Sequence, residues 1–313
     1  MTFSRRPAII LLAAALAMTA CGDERAVAPP AGPQQVELDP ALEREIVEWR
    51  ERRAASLTRD TGWLTLTGLF WLAEGENSVG SGEGNRVRLP EKAPERVGTL
   101  TLREGTVTLS APAEAGLRVG GEPVGSIEMA PDVSGSPTIA EIGAVQFLVI
   151  ERGGKIGVRV RDREHPARTS FAGLDYFPID PKWRVEARLE PYDPPKQIPI
   201  LNIIGIVEPA PSPGALVFTV DGREHRLDPI AEEGSDELFV IFADRTSGRE
   251  TYPAGRYLYA ERPGPDGTTI LDFNRSYSPP CAFTEFATCP LPPRQNRLAV
   301  RVEAGEKNFE GAH

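Results

Sequence analysis

The sequence predicts a mainly β protein: an N-terminal helix over 39–62, a β-sandwich over 63–165 and a second β-sandwich or barrel-like region over 166–313. Three observations carry this. Short runs of β-forming residues recur between turn signals, as in Leu100 to Arg103, Thr106 to Ser110 and Val145 to Ile150. Ile156, Val158 and Val160 alternate with Gly157, Arg159 and Arg161, the period-two pattern of a strand with one buried face and one wet face. Gly153-Gly154 and Asp221-Gly222 fall between such runs as two-residue hairpin turns. There is no repeat of solenoid period and no second long helix.

Ahead of these elements, Arg5 and Arg6 precede an apolar stretch, Ala8 to Ala17, and small residues lead to Cys21. That order is an export signal. The run Leu16-Ala-Met-Thr-Ala-Cys21 resembles a bacterial lipoprotein signal, which implies cleavage after residue 20 and a lipid on Cys21. Ordinary secretion without a lipid is the alternative. The apolar stretch falls short of the roughly 20 residues that span a bilayer. Residues 21–38 are small, polar and proline-rich, a composition that cannot bury enough apolar surface to fold. They read as a disordered linker. The expected location is the cell envelope, lipid-anchored and facing the periplasm or the exterior.

The helix begins at Asp39-Pro40, where Asp supplies the N-cap and Pro suits the first turn. Leu42, Ile46, Trp49 and Arg53 share one face, and Gly62 is the expected stop. In the second β region, Leu216 to Val220 and Arg223 to Leu227 form a hairpin. Leu238 to Ala243, Arg256 to Glu261, Thr268 to Phe273 and Leu298 to Val302 are the further expected strands.

Charge excludes one class of partner. Loss of residues 1–20 removes two arginines and no acid, leaving 33 basic against 45 acidic side chains, a net of −12. Such a chain is repelled by phosphate backbones, so no nucleic acid is expected and the membrane contact is the lipid on Cys21. Cys281 and Cys289 remain, an even count outside the cytosol, which favours a disulfide. A pair of metal thiolates needs two more ligands, and the only histidines are His165, His225 and His313. No metal and no cofactor is expected. Neither a phosphate-binding loop, a dinucleotide fingerprint nor a serine elbow is present; Gly80-Ser-Gly82 is too short for the last.

The C-terminal run LDFNRSYSPPCAFTEFATCPLPPRQN at 271–296 and AGEK at 304–307 are specific. With GWLTLTGLFWL at 62–72 and GRYLYAE at 255–261, they closely resemble the domain-of-unknown-function 1684 family. The resemblance runs from about residue 40 to 307 and implies a fold, not an activity. Within the first β region, Gly80, Gly82, Arg86 to Pro90, Val119 to Val124 and the strand at 145–150 are similar to a forkhead-associated β-sandwich. That family reads phosphothreonine with Arg, Ser and His near its loops. Here no His precedes His165, and Gly120-Gly121 replaces the usual Asn-Gly. The topology is expected without the phosphopeptide reading.

The segment 272–289 is the candidate site. Asp272 and Asn274, two apart on an expected strand, point to one face and offer a carboxylate beside an amide for a cation, a sugar hydroxyl or a water. The competing role is capping the turn that follows. Ser278-Pro279-Pro280 and Pro290 to Pro293 stiffen both arms of the cysteine loop, which displays Phe283, Thr284 and Phe286 as a binding loop or as a lid on a barrel. Arg256 with Tyr252, and Asp244 with Thr246, either surround an anion or pair with each other. Cys281 lacks a histidine to make it a nucleophile. The leading expectation is a lipid-tethered envelope protein that binds a small or peptide-like ligand through Asp272, Asn274, Tyr277, Thr284 and Arg256. The alternatives are a hydrolase using Asp272 with Asn274, and a structural envelope partner.

Overall fold

Asp39 accepts a hydrogen bond from the Ala41 amide and opens helix α1 (Pro40–Thr58), with proline in its first turn. The helix ends four residues before Gly62. Gly62 instead leads the short helical turn Trp63–Thr65, and a Cβ there would lie 2.2 Å from the Leu57 carbonyl oxygen. Glycine is therefore required for the chain to pass the helix end. The computed structural model describes residues 38–311. The signal run, Cys21 and the linker up to residue 37 lie outside the described residues.

Eleven strands build the first β region: β1 (Leu66–Trp71), β2 (Gly75–Gly80), β3 (Val87–Arg88), β4 (Gly98–Arg103), β5 (Thr106–Ser110), β6 (Arg118–Val119), β7 (Glu122–Pro123), β8 (Ser126–Glu128), β9 (Ile139–Ile142), β10 (Val145–Arg152) and β11 (Lys155–Asp162). They form two sheets, ordered β1-β11-β10-β9-β6-β7 and β3-β2-β4-β5-β8. Val79, Leu100, Leu109, Phe147 and Val158 are fully buried between them. The expected wet face of β11 is not wet. Gly157 and Arg159 are buried as well as Val158 and Val160. The second β region and the turn before β1 cover that face: Ile206 packs on Gly153, Arg152 Nε donates to Thr288 Oγ1 at 3.2 Å, and the Trp63 ring lies 5.4 Å from the Arg159 guanidinium.

After the short helix α2 (Pro166–Thr169), the second region holds β12 (Arg184–Leu201), β13 (Val207–Val220), β14 (Arg223–Leu227), β15 (Glu237–Phe242), β16 (Arg256–Glu261) and β17 (Thr268–Asp272). One sheet is ordered β14-β13-β12-β17, and β15 pairs with β16 separately. Leu216, Leu227, Val240, Phe242, Leu271 and Phe273 form the core between them. Leu298 to Val302 is not a strand. Its backbone is held by scattered bonds, Leu298 N–H to the Ala243 carbonyl and Val302 N–H to the Asp244 carboxylate, which replace a ladder.

The β12–β13 turn presents an apolar tip. Leu201, Ile203 and Val207 are exposed, while Asn202 is buried and its Oδ1 accepts from the Ile204 and Ile206 amides. Asn202→Ala strands two amide donors and is expected to cost about 1–2 kcal/mol. Faster hydrogen exchange at Ile204 and Ile206 checks it; unchanged protection contradicts the role.

Candidate functional site

Strand β17 ends at Asp272, so Asn274 does not share a strand face with it. The Asp272 carboxylate caps the turn Phe273–Arg275 by accepting from the Asn274 amide at 3.1 Å. Asn274 is fully buried. Its Oδ1 accepts from the Asp180 N–H, and its Nδ2 donates to the Asp180 carbonyl and to Asp272 Oδ1. The amide is spent on holding residue 180 against the turn, and nothing of it faces a ligand.

Asp272 is different at its second oxygen. Oδ1 carries the capping bonds, whereas Oδ2 is buried without a hydrogen-bond partner and has only Arg275 Nε at 3.5 Å. Burial raises this carboxyl above its ordinary value, against the opposing pull of Asn274 and Arg275. Asp272 sits in the wall of a trough of about 670 Å³. The trough exists because β16 and β17 are consecutive yet belong to different sheets; the connecting residues 262–267 span the gap, and Thr269 Oγ1 donates across it to the Glu261 carbonyl at 2.7 Å.

The lining is charged. Glu45 reaches it from α1 and pairs with Arg275 at 2.6 Å, which lowers the Glu45 carboxyl through that hydrogen bond. Arg184 comes from the start of β12, opposite Asp272 in the ladder. Glu237, Glu261 and Asp266 add carboxylates, and Arg262 a third guanidinium. Tyr259 contributes a ring stacked on Phe239 at 4.9 Å, its hydroxyl pushed up to about 12 by burial. Carboxylates outnumber guanidiniums in this lining, so the space favours ammonium and hydroxyl donors over anions.

The remaining predicted residues serve the scaffold. Arg256 is fully buried and donates to the carbonyls of Val302, Ala304 and Glu306 and to Asp244. Asp244 also accepts from Thr246 and Val302, so these groups pair with each other. Tyr252 donates to the Cys281 carbonyl. Thr284 is buried, and its Oγ1 accepts from the Phe286 amide. Tyr277 lies between Trp49 and Tyr257, and Arg53 stands over its ring at 4.8 Å. Cys281 and Cys289 are joined by a disulfide. Among the described residues no three Asp, Glu, His or Cys side chains are grouped to hold a metal ion.

Glu306 of the AGEK run is fully buried rather than solvated. Arg53 Nε donates to it at 3.2 Å, and Arg53 Nη2 to the Ser278 carbonyl at 2.9 Å. This clasp docks α1 onto the C-terminal segment. Burial raises the Glu306 carboxyl above its ordinary value, with Arg53 opposing. Gly305 has a positive φ of 76°, and a Cβ there would meet the Phe273 carbonyl oxygen at 2.7 Å.

Residues 169–307, which carry Asp272, Arg256, the disulfide and Glu306, match the model of a family described as a protein of unknown function, DUF1684. The chain belongs to the DUF1684 family. The match starts at residue 169, so α1 and the sandwich lie ahead of the matched segment. A solution NMR structure of an uncharacterized protein from Haloarcula marismortui is 38% identical, covers 45% of this chain and 79% of its own, and has a TM-score of 0.38. A structure described under phosphothreonine-dependent FHA domain interactions is 19% identical, covers 30% of this chain and 92% of its own, and has a TM-score of 0.21. No curated protein matches the chain. Within the DUF1684 segment, the sequence reading found Asp272 but missed Arg184, Tyr259 and Arg275. The signal for Arg275 was its place three residues after Asp272; Arg184 and Tyr259 come from distant strands and leave none.

Proposed function

We propose that this chain is a lipid-tethered cell-envelope protein, facing the periplasm or the exterior, that binds a small polar or peptide-like ligand in the trough beside Asp272. The run ending at Cys21 supports the tether. The buried Asp272 Oδ2 in the trough wall, without a hydrogen bond and met only by Arg275 Nε at 3.5 Å, carries the ligand reading. A buried carboxylate oxygen without a hydrogen bond loses hydration that a 3.5 Å ion pair offsets only in part, and a donor from a ligand supplies the missing bond. The anionic surplus of the lining selects a ligand with an ammonium group or several hydroxyls.

One observation favours the hydrolase alternative: the raised Asp272 carboxyl, the property of a general acid. The exposed Leu201, Ile203 and Val207 tip favours the structural-partner alternative.

Purification from native membranes, followed by mass spectrometry of bound small molecules, tests the proposal. The wild type should carry a polar compound that an Asp272→Asn form lacks, and Cys21→Ser should move the protein out of the membrane fraction. Identical small-molecule contents in the two forms would end the ligand reading. Unchanged membrane retention of Cys21→Ser would end the tether.

A further inference from the structure

The covered face of the sandwich holds two arginines without counter-ions. Arg159 is only 5% exposed, and its Nε and Nη2 are buried with no hydrogen-bond partner. Arg161, two residues on and therefore on the same face of β11, has a buried Nε in the same condition. No carboxylate lies within 4.0 Å of either guanidinium among the described residues. Arg152 flanks them, but Asp132 holds its guanidinium through two hydrogen bonds, the shorter 2.7 Å. This local excess of positive charge stands in a chain whose net charge is −10.

A buried guanidinium keeps its charge, and its desolvation cost is large unless an anion or acceptors meet its donors. Burial pulls Arg159 down to about 10; the nearby Arg152 and Arg161 add to that, and Asp132, already held by Arg152, opposes it. The Trp63 ring walls one side of Arg159. Thr67, at the β1 bulge between the partners of Arg161 and Val160, adds a buried hydroxyl without a partner. Arg161 is half-buried, so the site is reached from its side of the strand.

We propose that Arg159 and Arg161 form a binding site for a doubly charged, phosphate-sized oxyanion at the seam between the two β regions. Two guanidiniums spaced by one strand repeat, about 7 Å, match an anion that takes one fork from each. Phosphate supplies both charges and the acceptor oxygens; the site takes the free ion or a phosphate group on a small molecule. Gln146 Oε1, opposite Arg161 on β10, is a buried acceptor without a partner. A water joining it to Arg161 is the rival occupant of the seam. This inference is independent of the Asp272 trough.

Titration of the full-length protein with inorganic phosphate, against sodium chloride at equal ionic strength, separates the two. Melting temperature and phosphorus NMR line width are the readouts. The wild type should show a saturable response beyond the chloride control. Arg159→Gln should weaken apparent phosphate affinity about tenfold or more. If Arg159→Gln does not fold, Arg161→Gln serves in its place with the same expected loss. A phenyl phosphate titration distinguishes a phosphate group from the free ion: competition places both in one site. A wild type that responds to phosphate only as it does to chloride, or arginine variants that keep the full response, would overturn the proposal.

Discussion

Replacing Arg256 by alanine is expected to destabilise the protein by about 3–5 kcal/mol, the range seen when one partner of a buried ion pair is removed. Arg256 and Asp244 are both fully buried at the side chain, 3.4 Å apart. Without the guanidinium, the Asp244 charge stays in the core with only neutral donors, and the carbonyls of Val302, Ala304 and Glu306 lose theirs. The damage reaches the clasp on α1, because the same segment presents Glu306 to Arg53. Arg256→Met with Asp244→Asn removes both charges and should recover part of the loss. Urea denaturation measures both variants. A loss below about 1 kcal/mol for Arg256→Ala would mean the segment 302–306 is held by other contacts.

Opening the disulfide is the second large effect. Cys281→Ser with Cys289→Ser frees a loop of eight-residue separation, and chain entropy alone puts the cost at about 2–3 kcal/mol. The loss has a predictable location. The Cys289 carbonyl accepts from Ile203, and Leu291 donates to Leu201, so one arm of the cysteine loop braces the apolar tip. Phe283 from the same loop packs with Leu57 and Leu64 against α1. Hydrogen exchange should therefore rise at Ile203 and Leu291 before it rises in the sandwich. Reducing agent should shift the wild-type midpoint as far as the double substitution does. Equal midpoints with and without reductant would show that the bond adds nothing to stability.

What was legible in the sequence was local. Asp39-Pro40 starts a helix because a side-chain acceptor and a fixed φ act on the next turn alone, and Asp221-Gly222 turns a hairpin for similar reasons. The longest strand, β12, was invisible because Pro191, Pro194, Pro195 and Pro199 interrupt its pattern. It survives as a strand through a register shift between Pro191 and Lys196 that takes up the prolines, and through pairing with β13 on both sides of that shift. The wet face assigned to β11 failed because alternation reports one sheet and cannot show a second region packed on it. Arg256 reads in the sequence as a charged residue near a turn, yet its carbonyl partners lie 46 to 50 residues on and have no sequence signal. Asp272 was legible as a carboxylate beside a turn; that one of its oxygens caps and the other is buried with only Arg275 beside it was not.

The most direct test is the thermal stability of Asp272→Asn against the wild type from pH 3 to pH 8. The folded-state value of Asp272 is raised above 3.8 by burial, so the folded protein favours the protonated carboxyl. Its contribution to stability is present below the ordinary value and is lost as pH rises through the raised one. Asparagine keeps the capping acceptor and removes the buried charge. The variant should therefore melt higher than the wild type at pH 7.5, and the two should converge as pH falls below 3.8. An Asp272→Asn form that melts lower than the wild type at pH 7.5 would show a carboxylate already satisfied within the fold, and would remove the reason to place a ligand beside it.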